Sequence, residues 1–423
     1  METLQLGSVG PYVKLIQSLL RRVGYYAGPV DGVFGAQTRQ AVITFQRNNG
    51  LTPDGIVGPA TWNIFMRFLR GYDTYTIRQG DTIYNLARRY YTTVNSILTA
   101  NPGINPDSLV VGSTITVPYG IDVVFTDIDY TYRIMETDIQ GLKARYPFLE
   151  TGIAGKSVQG KNLYYIRLGT GPKQLFYNGA HHAIEWITTP LLMKFTENFL
   201  RAYSSNFVLR GYNPRDIWNR ASIYIIPMVN PDGVDLVLEG ISRQNPYYEF
   251  VNRINNTGLP ISRVWKANIR GVDINLNYPA SWEEEKQDEI EMGIISPAPQ
   301  GYGGTAPLTE PESIALVNFT RQHNFRMVLA YHTQGRVIYW SYLNLAPPEG
   351  LRIAQVFGRL SGYAVSENPA EASYAGYKDW FIQEYRRPGY TVEVGLGVNP
   401  ISITQFNTIY NENEGILLQA PYE

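Results

Sequence analysis

The stretch Gln174-Leu-Phe-Tyr-Asn-Gly-Ala-His-His-Ala-Ile-Glu-Trp186 decides how most of this chain is read. Residues 174–177 form an apolar run of the kind that makes a buried strand, and from Ile187 to Leu200 the apolar positions recur at helical spacing. A strand end that turns into a helix therefore carries His182 and Glu185. Three positions apart on a first helical turn, their side chains can face one point, and that point could hold a metal ion. His181 and Glu185 are four apart and fit the same face, so the local sequence leaves the register open. The chain has only four histidines, His181, His182, His323 and His332, which makes two in one turn informative.

Outward from this stretch, strands and helices alternate from about Asp122 to the end, as expected of an α/β domain with a mixed, mostly parallel, buried sheet. Strands are expected at Leu163 to Leu168, Gln174 to Tyr177, Ser222 to Val229, Met327 to Tyr331 and Tyr390 to Val394. Helices are expected at Thr131 to Arg145, Thr188 to Arg201, Pro311 to Gln322, Leu351 to Ser361, Asp379 to Tyr385 and Thr404 to Leu417. In open sheets of this kind ligands lie beyond the carboxyl ends of strands. His332 directly follows the apolar run Met327-Val-Leu-Ala-Tyr331, where a third ligand belongs. Two histidines and one carboxylate leave a fourth zinc position open. In Thr391-Val-Glu-Val394 a glutamate interrupts an apolar strand, and a buried carboxylate is costly unless it faces positive charge. General base is the natural role for Glu393.

Composition narrows the possibilities. A length of 423 residues suits two or three domains, and 44% hydrophobic with 17% charged residues describes a folded globular protein. A net charge of -1, with Lys and Arg dispersed, argues against a nucleic-acid partner. Without cysteine there are no disulfides and no thiolate metal sites. The amino terminus shows no signal peptide, which leaves a cytoplasmic chain, as inside a forespore, or a processed secreted one. No apolar run approaches the roughly 20 residues of a membrane span.

Two small modules precede the large domain. In residues 1–70, Asp31-Gly-Val-Phe-Gly-Ala-Gln-Thr38 and Asp54-Gly-Ile-Val-Gly-Pro-Ala-Thr61 repeat the pattern Asp-Gly-x-x-Gly-x-x-Thr. Each copy runs into a helix, Arg39 to Asn48 and Thr61 to Phe68, and Tyr12 to Val23 forms an earlier one. This segment is expected to be a small all-α domain, and it resembles the peptidoglycan-binding domain found beside bacterial wall hydrolases. Residues 74–118 read as strand Thr74 to Ile77, helix Ile83 to Tyr90 capped by Asp81 or Thr82, helix Val94 to Ala100, and strand Ser113 to Val117. With Gly80-Asp-Thr82, Ile97, Asn101-Pro102, Leu109 and Gly112, this α+β segment resembles a LysM domain, which implies binding of N-acetylglucosamine-containing glycans.

Residues 122–423 resemble the zinc carboxypeptidase family. The resemblance rests on Tyr130-Thr-Tyr132 with Leu142 and Tyr146-Pro147, Gly155-Lys-Ser-Val-Gln-Gly160, His182-Ala-Ile-Glu-Trp186, Asn230-Pro-Asp-Gly233, Gly271-Val-Asp-Ile-Asn275, His332, Asp379-Trp380 and Glu393. It implies a zinc ion held by His182, Glu185 and His332, which selects His182 over His181, and Glu393 as general base. Lys266, in Trp265-Lys-Ala-Asn268, stands where the family carries the arginine that steadies the oxyanion, and Asn275 falls among the substrate-binding residues. Three departures are informative. Leu276 replaces the arginine that fixes a terminal carboxylate in family exopeptidases. Lys378 occupies the position that sets side-chain preference and could read an acidic group. The family's mobile tyrosine aligns with Glu371, with Tyr374 the nearby candidate.

Together these features resemble one subgroup, the γ-D-glutamyl-L-diamino acid endopeptidases. The implied function is hydrolysis of peptidoglycan stem peptides at the bond between γ-D-glutamate and meso-diaminopimelate or lysine, with glycan and stem peptides as partners and the cell wall or spore as location. A carboxypeptidase trimming wall peptides or proteins is the alternative, and a wall-binding protein without catalysis is a further one.

Overall fold

The computed structural model describes residues 2–368 and 374–423, so Glu371 lies outside the described residues. The chain divides into two compact units, residues 1–129 with 133–149, and residues 130–132 with 150–423.

In the first unit, helices α1 (Pro11–Arg22), α2 (Ala36–Asn48) and α3 (Pro59–Arg70) enclose a core that includes Leu19, Phe45 and Phe65. The repeated turn pattern has a physical cause beyond its glycines. Gln17, buried on α1, donates through Nε2 to Asp31 Oδ1 (2.9 Å), the Val33 carbonyl (3.0 Å) and Thr38 Oγ1 (3.1 Å), and accepts from the Gly32 N–H (2.9 Å). Gln46 on α2 repeats the set with Asp54, Ile56, Thr61 and the Gly55 N–H. Each Asp-Gly turn is thus fastened by a buried amide on the preceding helix.

Strands β1 (Tyr72–Thr76) and β2 (Thr114–Pro118) pair antiparallel around α4 (Ile83–Arg89) and α5 (Val94–Ala100). Thr82 rather than Asp81 caps α4, accepting from the Asn85 N–H at 3.1 Å. Asp81 instead accepts from the Arg78 N–H and the Tyr75 hydroxyl. Helix α6 (Tyr132–Arg145) groups with this unit from Arg133 on, although the sequence reading has it open the large domain.

The second unit is built on an eight-stranded sheet among the described residues. Its strands are β3 (Glu150–Lys156), β4 (Asn162–Leu168), β5 (Lys173–Gly179), β6 (Ala221–Ile226), β7 (Phe325–His332), β8 (Val337–Tyr339), β9 (Ala364–Ser366) and β10 (Gly389–Glu393). Their order is β3-β4-β6-β5-β7-β10-β8-β9. The central run β6-β5-β7-β10 is parallel, whereas β3-β4, β4-β6 and β10-β8 are antiparallel. This is the expected mixed sheet, and its middle strands are buried because helices cover both faces.

The helices are α7 (Thr188–Ser205), α8 (Pro214–Arg220), α9 (Pro231–Glu239), α10 (Tyr248–Ile254), α11 (Ile261–Val264), α12 (Trp282–Glu291), α13 (Pro311–Arg321), α14 (Glu349–Ser361), α15 (Tyr377–Tyr385) and α16 (Phe406–Gln419). Strands β3, β8 and β9 and helices α8 to α12 escaped the sequence reading. β8 and β9 have three residues each, too short for a periodic signal, and β3 is interrupted by Gly152 and Gly155 and has a register shift.

Candidate metal centre

The parallel strands β5, β7 and β10 end side by side, and their ends supply the site. Gly179 pairs with Tyr331, and Glu393 pairs with His332. After β5 the chain passes through Ala180 in a left-handed conformation (φ 53), where the Ala180 N–H donates to Thr188 Oγ1 at 2.8 Å. The Thr188 hydroxyl in turn donates to the Glu185 carbonyl at 2.9 Å.

Residues 183–185 form a 3-10 turn, not the α-helical turn expected, with His182 extended at its start. In such a turn positions i and i+3 eclipse, which brings His182 onto Glu185 and leaves His181 out. Asn230, at the start of α9, donates to the His181 carbonyl (3.1 Å) and the Ala267 carbonyl (3.0 Å). Segment 265–266 lies alongside, accepting from Ala183 and Ile184 N–H groups at 2.9 and 3.2 Å.

The geometry settles the register. His182 Nδ1 lies 2.9 Å from Glu185 Oε1, His332 Nδ1 lies 3.0 Å from Glu185 Oε2, and the two Nδ1 atoms are 3.3 Å apart. Ligand atoms of these three residues fall within 4.8 Å of one another. His181 is buried, with Nε2 3.1 Å from the Tyr278 hydroxyl and its ring stacked on His332. It is a wall of the site and not a member of the convergent set.

Electrostatics favour a cation here. Burial alone would discharge His182, but the Glu185 and Asp273 carboxylates hold its pKa up at about 10. Burial lowers that of His332. Asp273, despite burial, is held down at about 2 by His182, with which it shares a 3.1 Å contact at Nε2. Glu185 is likewise held well below its ordinary value by its histidine partners. Burial raises Glu393 to about 8, helped by Glu185, and its Oε2 is buried with no hydrogen-bond partner among the described residues. Lys266, 4.0 Å from Glu185 Oε1 and a third exposed, is held above its ordinary value by Glu185, Asp273 and Glu393 in spite of burial. Two imidazole nitrogens and a carboxylate converging in a buried, carboxylate-rich site fit a zinc ion with an open fourth position. Asp273 on the outer nitrogen of His182 fixes its tautomer.

The other residues singled out in the sequence are placed differently. The side-chain Oδ1 of Asn275 accepts from the Tyr377 N–H at 3.2 Å and so ties the 273–276 segment to the start of α15. Tyr374 is half-buried and packs against the apolar core. Lys378 does not present its ammonium to a substrate. It is 3% exposed and donates to the Ser341 carbonyl (2.7 Å), Asn368 Oδ1 (2.7 Å) and the Asp379 carboxylate, so its three donors are taken. The expectation that it reads an acidic group is corrected by this pairing, which arises because a buried ammonium needs a carboxylate and Asp379 is adjacent. Asp273 was present in the quoted motif without a role. The signal that could have found it is an acid in a glycine-bounded loop, but only folding shows that its partner is 91 positions away.

Similarity to known proteins agrees with this site. Residues 135–413 match the zinc carboxypeptidase family model, residues 9–65 a peptidoglycan binding domain and residues 75–118 a LysM domain. The chain is 45% identical over 294 residues to γ-D-glutamyl-L-diamino acid endopeptidase 1 of Lysinibacillus sphaericus, covering 70% of this chain and 72% of that protein. It is 38% identical over 293 residues to the uncharacterized protein YqgT of Bacillus subtilis (strain 168), covering 69% and 77%. In fold it is similar to bovine thrombin-activatable fibrinolysis inhibitor in complex with a tick carboxypeptidase inhibitor, with a TM-score of 0.54, 17% identity and coverage of 70% of this chain and 97% of that one. The metal-binding geometry, the strand-end placement and the matched models show that the chain belongs to the zinc carboxypeptidase family and is a zinc metallopeptidase equipped with peptidoglycan-binding and LysM modules.

Proposed function

We propose that this peptidase hydrolyses peptidoglycan stem peptides at the bond between γ-D-glutamate and a diamino acid, meso-diaminopimelate or lysine. The observation that carries the reading is the 45% identity to an endopeptidase of that specificity. Leu276 supports it, because it leaves no guanidinium fork at the place where the family's exopeptidases clamp a free carboxylate.

In this reading residues 1–70, 74–118 and 122–423 are the wall-binding helical domain, the LysM domain and the catalytic domain. The first two hold the enzyme on its polymer and raise the local substrate concentration. Wall association follows from these modules, in a spore or on an exported chain.

His182, Glu185 and His332 hold the zinc, and when bound it supplies Lewis acidity for attack on the amide. Glu393, paired in register with His332 and with its buried Oε2 unpartnered among the described residues, takes the proton of the attacking water and passes it to the leaving amine. Lys266 stands beside Glu185 and steadies the negative charge that develops on the carbonyl oxygen. Asn275 and Tyr374 are assigned to substrate binding, as the family resemblance implies.

Mass spectrometry of L-Ala-γ-D-Glu-diamino acid stems, with and without a further residue on the carboxyl terminus, tests the reading. Both are expected to be cut at the γ-D-glutamyl bond. Cleavage confined to free-terminus stems would make the enzyme a carboxypeptidase. Glu393→Gln is expected to lose about 100-fold to 10,000-fold in kcat while retaining its zinc, and undiminished hydrolysis would remove Glu393 from the mechanism.

A further inference from the structure

Glu393 is followed by a loop that hydrophobic burial does not hold. Beyond β10 the chain buries Val394 and Gly395, runs through Leu396, Gly397 and Val398, all exposed, and reaches the half-buried Asn399 and Pro400. Val398 is 83% exposed and Leu396 51%. Apolar side chains turned to solvent do not anchor a loop by packing, so hydrogen bonds must fix its position.

Two carboxamides supply them. Gln405, in the 3-10 turn Ile403–Gln405 before α16, grips Leu396 on both sides of its backbone. Its Oε1 accepts from the Leu396 N–H (3.1 Å) and its Nε2 donates to the Leu396 carbonyl (2.8 Å). Asn399 grips Thr333 in a similar way. Its Oδ1 accepts from the Thr333 hydroxyl (2.6 Å) and its Nδ2 donates to the Thr333 carbonyl (3.0 Å). A carboxamide can do both because it carries a donor and an acceptor side by side, whereas a carboxylate has no donor.

Thr333 is where the second grip meets the metal centre. It is 4% exposed, follows the ligand His332, and its own N–H donates to Oε2 of Glu185 at 3.2 Å. The segment it opens lies against the general base. A Cβ on Gly335 would stand 3.9 Å from the Glu393 Cβ, and the Gly335 N–H donates to the Gly395 carbonyl at 3.0 Å. On the other side of Glu393 the Val394 N–H donates to the His332 carbonyl at 2.9 Å. Beyond Gly395, Asn399 carries this lacing to the far end of the loop. Glu393 Oε2 is buried with no hydrogen-bond partner among the described residues, so the backbone around Glu393 decides where that oxygen stands.

We propose that Asn399 is a positioning residue of the peptidase site: through Thr333 it locks the loop after Glu393 to the segment after His332 and keeps the Thr333 N–H aimed at Glu185. The groups that must face one point come from separate strands, and a small misplacement of one against another is costly in rate. Outer partners of a ligating carboxylate also tune its hold on the metal. The inference rests on the roles given above to Glu185 and Glu393, and it is independent of which peptide bond is cut.

The test uses full-length Asn399→Ala, Asn399→Asp, Thr333→Val and Thr333→Ser, and the double variant Asn399→Ala/Thr333→Val, each checked by thermal unfolding. Zinc affinity is read by competition with a chromophoric chelator, and kcat and KM on a zinc-loaded enzyme with the L-Ala-γ-D-Glu-diaminopimelate tripeptide. Asn399→Ala, Asn399→Asp and Thr333→Val are each expected to lose about tenfold or more in zinc affinity and in kcat, with KM within about twofold of the parent. Thr333→Ser, which keeps the hydroxyl, is expected to stay near the parent. The double variant is expected to be no worse than Asn399→Ala, because both substitutions remove one contact. Parent-like zinc affinity and kcat in a folded Asn399→Ala overturn the proposal, as do losses that multiply in the double variant. A raised KM with unchanged kcat also overturns it, by placing the loop on the substrate. If Asn399→Ala does not fold, Thr333→Val against Thr333→Ser decides, and equal behaviour of the two overturns the proposal. If the parent does not cut the tripeptide, the endopeptidase reading falls and zinc affinity decides: a loss in Asn399→Ala that Thr333→Ser does not share supports the positioning role, and unchanged affinity overturns it.

Discussion

At the scale of single residues, the centre depends as much on what stands behind its ligands as on the ligands. Asp273 faces the outer nitrogen of His182 at 3.1 Å and, with a pKa near 2, is ionised at any pH where zinc binds. Asp273→Asn keeps the shape and removes the charge. It is expected to weaken zinc binding about 10-fold to 100-fold, read by competition with a chromophoric chelator, while an unchanged affinity would show that His182 is oriented by other contacts. The histidines and Glu185 were legible in the sequence because a strand-to-turn pattern and the order of motifs single them out. Lys378 was legible only as a lysine in a notable position. Its three acceptors come from residues 341, 368 and 379, and that set exists only once α15 packs beside the segment after β8.

At the scale of elements, buried polar residues fix how helices dock. Glu312, in the first turn of α13, is fully buried and accepts from the Val158 N–H (3.0 Å) and from Asn268 Nδ2 (3.3 Å). Burial lifts its pKa to about 7, with Asp232 and Glu310 adding to the rise. A carboxyl group with a folded-state value above its unfolded value of 4.5 binds its proton more tightly in the folded state. Its contribution is therefore most favourable below about pH 4.5 and is lost as pH rises through 7, by about 3 kcal/mol at most. Glu312→Gln keeps the hydrogen-bonding shape without the charge, so urea unfolding at several pH values is expected to show a smaller loss of stability between pH 4.5 and 7 than in the parent. In the first unit the fastening amides play the corresponding part. Gln46→Ala leaves the buried Gly55 N–H and the Thr61 side chain without their partner and is expected to cost about 2 to 3 kcal/mol, visible as faster amide hydrogen exchange in α2 and the turn 54–61. The Asp-Gly-x-x-Gly-x-x-Thr repeat was plain in the sequence, but its glutamines were not. Gln17 precedes its aspartate by 14 positions and Gln46 by eight, so no fixed spacing marks them.

At the scale of the whole molecule, two wall-binding modules and a peptidase act on one polymer. Soluble N-acetylglucosamine oligomers are expected to slow hydrolysis of intact peptidoglycan by competing for the modules, and to leave hydrolysis of a soluble stem tripeptide unchanged. Equal effects on both substrates would show that the modules do not concentrate the enzyme on its substrate. The sequence by itself determined the order of modules, the strand ends that carry His182, Glu185, His332 and Glu393, and the absence of thiolate chemistry. These are local or compositional properties: periodicity, turn residues and the choice of residue types survive without knowledge of what packs on what. The tertiary structure alone decided that His182 meets Glu185 through a 3-10 turn, that Asp273 stands behind His182, and that Lys378 is spent on Asp379. Each of these depends on side chains brought together by the sheet and its covering helices, and on the burial that turns an ordinary charge into one that must find a partner.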